Sequence, residues 1–344
     1  MQPHDWRHWR AGLLAIAFVL AWPMAGVRLA HAQETVEFRL SRQPGLVFLQ
    51  NLIMEDKKLL EKHAERLGLK DLKVQWLQFT SGGVSTEALL SGQVDIVTSG
   101  LSNMLLIWSK TNGGVKALSG VAGTPMALLT RNPNIKTLKD FGPNDRIAVP
   151  TLKQSMQSTV LGIALDQVYG PGNHGKLDDI QVQIGHPEAT QALLNSNHEI
   201  NSHFSNTPFA DIALKSQNPK IYQILSSVDV LGGPAHVSCA YGTQKFIYAN
   251  PIKVKAFLAA LDEASELVAK DPKAAVASYL AASKDRASPE IVYEIVTRPG
   301  NIFQATPVRT MIYADQMAKT GLIKTKPASW KDFYFPIIHD RPGS

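Results

Sequence analysis

One cysteine, Cys239, occurs in 344 residues, so the chain can form no internal disulfide and no cysteine-rich metal or redox motif. It stands among Val237, Ser238, Ala240 and Tyr241 in a strand-like run, where a buried, inert thiol is expected. Past residue 32 no stretch approaches the roughly 18 unbroken apolar residues of a membrane-spanning helix. Basic runs and basic-aromatic stripes are lacking too: Lys and Arg are mixed with Asp and Glu, so a net charge of +6 points to no nucleic-acid partner. His174, His186, His198, His203 and His236 show no ligand spacing such as a helical i, i+4 pair, and neither a metal site nor a cofactor is expected. There is no internal repeat and no low-complexity run.

What is present begins with an export signal. Arg7 and Arg10 precede the apolar segment Ala11 to Ala21, and Ala30-His31-Ala32 has the small-x-small pattern of a cleavage site. Residues 1–32 are therefore read as a secretory signal peptide. With no cysteine to carry a lipid, the remaining 312 residues are expected in the periplasm without an anchor. Loss of Arg7, Arg10, Arg28 and Asp5 lowers the net charge from +6 to +4, which is compatible with a small anionic ligand. A chain of that length usually forms two compact units.

The most informative stretch is Phe79 to Trp108, FTSGGVSTEALLSGQVDIVTSGLSNMLLIW. A short β-rich run through Val74, Trp76 and Leu77 is stopped by Ser81, Gly82 and Gly83, and a helix from Val84 to Ser91 follows. The first N–H groups of such a helix lack intrahelical acceptors and carry the positive end of its dipole, so they attract anions. Gly92 closes that helix, Asp95 opens the strand Ile96-Val97, and Thr98, Ser99 and Gly100 turn the chain into another helix near Ser102. Two consecutive strand-to-helix turns thus lie at the carboxyl edge of an expected parallel sheet, where open α/β folds bind ligands.

Around this stretch strands and helices alternate. Val36, Phe38 and Leu40 predict a strand, Gln43-Pro44-Gly45 a turn, and the apolar spacing from Leu46 to Leu67 one helix capped by Gly68. Val115 to Val121 and Met126 to Thr130 predict further strands. A second α/β unit is expected from about 132 to 235, between the linkers Asn132-Pro133-Asn134 and Gly232-Gly233-Pro234. Its strands are Arg146 to Val149, Ile180 to Ile184 and Glu199 to Ser205; its helices are one capped by Ser155 or Ser158, then Pro187 to Leu194 and Phe209 to Leu214. Ile221 to Val230, His236 to Tyr241 and Phe246 to Tyr248 are read as strands, and the rest as helices ending in a surface clasp of Trp330, Phe333, Tyr334 and Phe335.

This order of pieces resembles the periplasmic substrate-binding proteins of ABC importers, in their sulfonate, taurine and nitrate branch. Leu89 to Ile96 (LLSGQVDI) is similar to that branch's helix-Gly-x-x-Asp-strand piece. Pro133 to Pro150 is similar to the start of its second lobe, and Ala192-Leu193-Leu194 with Glu199 to Pro208 to a later strand leading into Pro-Phe. The resemblance implies a periplasmic binding protein type II fold, two α/β lobes joined by two crossover strands. Residues 33–131 plus 236–344 would form the first lobe and 132–235 the second, with hinges near Arg131 to Asn134 and Gly232 to His236. It also implies a monomer that closes on a small organic anion and docks on an ABC permease in the inner membrane; a membrane sensor is the alternative partner.

A sulfonate of the taurine or alkane/aryl type is the first expectation, nitrate or a carboxylate the next. The amides and hydroxyls of Ser81, Gly82, Gly83, Ser99 and Gly100 would hold the anionic head, with Ser155 and Met156 closing from the other lobe. Gln43 and Phe48 would border the pocket, and His203, Asn206 and His236 would set what else fits. Neutral donors on dipole ends suffice for a monoanion without a buried cation. His198 to Ser205 is more polar than the branch's usual strand, which leaves a sulfonate, a carboxylate or an uncharged polar compound open. No nucleophile with its base and no paired cleft carboxylates are recognisable, so no catalysis is expected.

Overall fold

Phe38 and Leu40 alternate with Glu37 and Arg39, and that period of two buries one face of β1 (Glu37–Arg42). The computed structural model describes residues 36–283 and 287–344; the expected signal peptide, residues 1–32, lies outside them. After β1 the predicted single helix is two, α1 (Leu49–Asp56) and α2 (Leu59–Arg66). The break is at Lys58, whose backbone is left-handed at φ 51°. β2 (Lys73–Gln78), α3 (Gly82–Leu90), β3 (Ile96–Gly100), α4 (Leu101–Lys110) and β4 (Val115–Gly120) follow the predicted alternation. Strands β1, β2 and β3 run parallel, so their carboxyl ends share one edge.

Beyond a short β5 (Ala122–Gly123) the chain passes into a second sheet with β6 (Ala127–Thr130). The expected division put residues up to 131 in the first lobe; β6 is instead hydrogen-bonded between the strands Ser202–Ser205 and Tyr222–Ser226 of the second sheet. This sheet is built from β7 (Ile147–Val149), α5 (Met156–Tyr169), β8 (Gln181–Gln183), α6 (His186–Leu194), β9 (Ser202–Ser205), α7 (Phe209–Leu214) and β10 (Tyr222–Ser226). Strand order is β10-β6-β9-β7-β8. The predicted strand Ile221 to Val230 stops halfway, because Ser226 caps α8 (Ser227–Leu231) by accepting from Val228 N–H.

The chain then returns to the first sheet with β11 (Ser238–Thr243), antiparallel between β3 and β4. That makes the first sheet mixed, not wholly parallel, in the order β2-β1-β3-β11-β4. Phe246 to Tyr248 is helical, within α9 (Gln244–Ala249), because the Thr243 hydroxyl accepts from Phe246 N–H and starts a helix. Helices α10 (Pro251–Lys270), α11 (Pro272–Ser283), α12 (Pro289–Val296) and α13 (Met311–Lys319) follow, with β12 (Ile302–Phe303) pairing back to β5.

Phe38, Leu40, Ile53, Leu60, Phe257 and Leu261 lie in one core, each side chain contributing about 1.5–3 kcal/mol by leaving water. The terminal aromatics belong to this core and are not a surface clasp. Phe333, Tyr334 and Phe335 are buried, and Ala117 N–H donates to Phe333 O at 2.9 Å while Phe335 N–H donates to Ala117 O at 2.8 Å, a parallel bridge alongside β4. Cys239 is fully buried, and burial pushes its thiol up, away from the reactive thiolate. No described helix is long and apolar enough to cross a membrane.

Candidate functional site

A small cavity of about 50 Å³ lies where the carboxyl edges of the two sheets meet. Four helices begin on its wall: α3 at Gly82, α4 behind Gly100, α5 at Ser155 and Met156, and α6 at His186. No lysine, arginine, aspartate or glutamate lines it. Each helix end presents N–H groups without intrahelical acceptors and the positive end of a dipole, so the cavity is electropositive without a formal charge.

The local sequence explains the convergence. Ser81 caps α3 by accepting from Val84 N–H, and Gly82 follows where a methyl group would meet Ser99 Oγ at 2.2 Å and Asn103 Oδ1 at 2.4 Å. Only glycine lets the start of α3 come this close to the start of α4. Leu101 N–H at the head of α4 donates to Val237 O at 3.0 Å. Ser102 N–H and its hydroxyl both donate to Met156 Sδ at 3.1 Å, so a thioether from the second half covers this helix end. The amides of α4 are therefore largely committed to the protein, and those of α3 and α5 are nearer to free. Ser155, not Ser158, caps α5.

Two buried polar atoms on the wall have no protein partner: Thr151 Oγ1 and Asn206 Oδ1. A buried polar atom without a partner loses on the order of 1–3 kcal/mol, so both mark where a ligand's polar atoms would be stabilised. Turning the Asn206 carboxamide about its last torsion presents Nδ2 in place of Oδ1, which suits an anion. On the opposite side Gln43 is fixed by donating to Thr98 O at 3.0 Å, beside Phe48.

Behind the wall lies a relay of neutral rings. Gln157 Nε2 is 3.2 Å from His186 Nε2, and His186 Nδ1 is 2.9 Å from His203 Nε2. With the amide donating, His186 carries its proton on Nδ1 and donates it in a hydrogen bond to His203 Nε2, and His203 Nδ1 is left without a partner. Burial lowers His186 to about 4, and burial with the neighbouring imidazole holds His203 well below its usual value. Neither ring is a cation at neutral pH.

Of the residues expected from sequence, Gln43, Phe48, Gly82, Ser99, Gly100, Ser155, Met156 and Asn206 share this cavity. Ser81 and Gly83 face a neighbouring cavity on the far side of α3. His203 lies behind His186, its Nε2 2.9 Å from His186 Nδ1. His236 is elsewhere: its Nδ1 accepts from Val308 N–H at 2.9 Å and its Nε2–H donates to Gln304 O at 3.0 Å, a structural histidine with both nitrogens used. Sequence reading passed over Asn103, Thr151, Gln157 and His186. Gly185-His186-Pro187 carried a signal, since it is a strand-to-helix corner like Ser81 to Gly83.

Comparison of the chain with protein-family models and with curated proteins finds no match. Solved structures do match. The alkanesulfonate-binding protein SsuA from Xanthomonas axonopodis pv. citri, bound to MOPS, is 16% identical, with 86% of this chain and 96% of that one covered at a TM-score of 0.66. The periplasmic aliphatic sulphonate binding protein SsuA from Escherichia coli is 18% identical, covering 87% and 92% at a TM-score of 0.63. The periplasmic nitrate-binding protein NrtA from Synechocystis PCC 6803 is 14% identical, covering 87% and 84% at 0.64. At these identities the likeness is one of fold.

Proposed function

Starting from the periplasmic binding protein fold, we propose that this chain is a non-catalytic receptor that captures a small organic anion between its two halves. A sulfonate is favoured and a carboxylate or nitrate comes next; the closed protein delivers its ligand to an ABC permease in the inner membrane. One observation carries the reading: four helix N-termini meet at a cavity with no charged side chain and with unpartnered Thr151 Oγ1 and Asn206 Oδ1. Anions are stabilised at each such terminus by about 0.3–1 kcal/mol, and more where water is excluded. The sulfonate- and nitrate-binding proteins that share the fold support the ligand class.

A thermal-shift screen of sulfonates, carboxylates and nitrate tests this, since a ligand at 100 times its Kd adds about 2.7 kcal/mol of stability. Asn206→Leu keeps the branching of the side chain and removes an atom that lacks a partner in the empty protein, so the unliganded fold should survive. It is expected to weaken the best anion about tenfold or more. Unchanged affinity would contradict the placement of the site.

A further inference from the structure

Resting on the anion-receptor reading, we propose that His186 binds the anion through Nε2–H and that His203 is the positioning residue that places the proton there. His186 opens α6 on the cavity wall and is buried, and His203, on β9, is fully buried behind it. The side chains of Gln157, His186 and His203 form a chain with nitrogens 3.2 Å and 2.9 Å apart. A carboxamide turns about its last torsion and a neutral imidazole carries its proton on either nitrogen, so the same heavy-atom positions allow two directions of hydrogen bonding. In one, the Gln157 amide donates to His186 Nε2, His186 Nδ1–H donates to His203 Nε2, and the proton of His203 is left on its Nδ1. In the other, His203 Nε2–H donates to His186 Nδ1, and His186 Nε2–H is offered to the cavity and to Gln157 Oε1. The two rings hold two protons in either direction, so the pair stays neutral.

The second direction suits an occupied cavity. His203 Nδ1 is buried without a partner among the described residues. The first direction puts an N–H there with no acceptor, and the second leaves only a lone pair; a buried N–H without an acceptor is the rarer of the two in folded proteins. An anion in the cavity would face the His186 Nε2 lone pair in the first direction and be repelled. In the second it accepts a hydrogen bond strengthened by its own charge. Both rings are held in place. The Phe209 ring stacks on the His186 ring, with centroids 6.0 Å apart and planes 16° apart, and the Thr190 hydroxyl donates to His186 O at 2.8 Å. His203 is fixed by the pairing of β9 with β6 and β7. Placement of a proton, and not movement of a ring, then fits this wall to a negative guest.

Long-range proton–nitrogen NMR of the purified protein with 15N-labelled histidine, at pH 7, reads which ring nitrogen carries each proton. The spectrum is taken with the tightest binder among methanesulfonate, octane-1-sulfonate, acetate and nitrate. The proposal predicts Nε2–H on both His186 and His203 in the complex. Titration heats should be the same in buffers of different ionisation heat, since no proton is taken up. A proton on His186 Nδ1 alone, or uptake of one proton to form an imidazolium, overturns the proposal and leaves the anion receptor standing. If none of the four anions binds, the anion reading falls and this proposal with it. Among variants, His203→Gln keeps an N–H that can reach His186 and should bind the same anion within about threefold of the original, whereas His203→Leu should bind about tenfold more weakly. Equal losses in the two would mark a packing role and overturn the assignment of His203. Should either variant not fold, the spectrum of the unmodified complex decides.

Discussion

Gly82 has no space for even one carbon more. A Cβ there would sit 2.2 Å from Ser99 Oγ and 2.4 Å from Asn103 Oδ1, distances that force the heads of α3 and α4 apart. Gly82→Ala is therefore expected to destabilise the protein by about 1–3 kcal/mol and to weaken anion binding at least tenfold. Chemical denaturation and titration of the same sample measure both effects. An alanine variant that binds as the original does would show that close approach of these helix ends is not needed. The neighbouring Met156 has the reverse character, filling the head of α4 with sulfur, so the cavity draws its free donors mainly from α3 and α5.

At the scale of elements, His236 ties the return to the first sheet, just before β11, to the segment from Gln304 to Val308. Its Nδ1 accepts a backbone N–H, so protonation there breaks a bond. Burial lowers this ring to about 4 against the hydrogen bond to Gln304, which acts to raise it. An unfolded histidine titrates near 6.5, so between 6.5 and 4 the unfolded chain holds more protons and stability falls as pH falls. By pH 5 His236 withdraws on the order of 2 kcal/mol, and nothing is lost above about pH 7. His236→Gln is expected to be less stable than the original at pH 7.5 yet to lose less between pH 7 and 5. Parallel stability curves for the two proteins would contradict the assignment.

Other features of the elements were not legible in advance. Lys58 breaks a helix that apolar spacing predicts as continuous, because spacing records which face is buried and not where the backbone turns left-handed. Phe246 to Tyr248 is aromatic and β-prone, but the Thr243 cap and the burial of Ile247 decide for helix. The His186 corner is weakly marked in the sequence, because its single glycine is followed by His-Pro and no Gly-Gly or Ser-Gly pair accompanies it.

In the whole molecule, alternating strands and helices, capped by Ser81 and Ser155, made the α/β halves readable from sequence. Sheet membership of β6 was not, since Ala127 to Leu129 is an unbroken apolar run that suits either sheet. Nor could a one-dimensional reading place His236, whose partners Gln304 and Val308 lie some seventy residues away. The two halves meet in contacts such as Thr159 Oγ1–H donating to Ser102 Oγ at 2.8 Å and Leu46 N–H donating to Thr207 O at 2.9 Å.

In the proposed receptor, dipole ends and neutral donors, not a cationic side chain, hold one negative charge between these halves. Calorimetric titration with octane-1-sulfonate and with octane-1-sulfonamide tests it directly, because the two share a tail and differ in the charge of the head. The two helix termini with uncommitted amides, those of α3 and α5, at about 0.3–1 kcal/mol each predict about threefold to thirtyfold tighter binding of the sulfonate. Equal affinities, or preference for the neutral sulfonamide, would contradict the account.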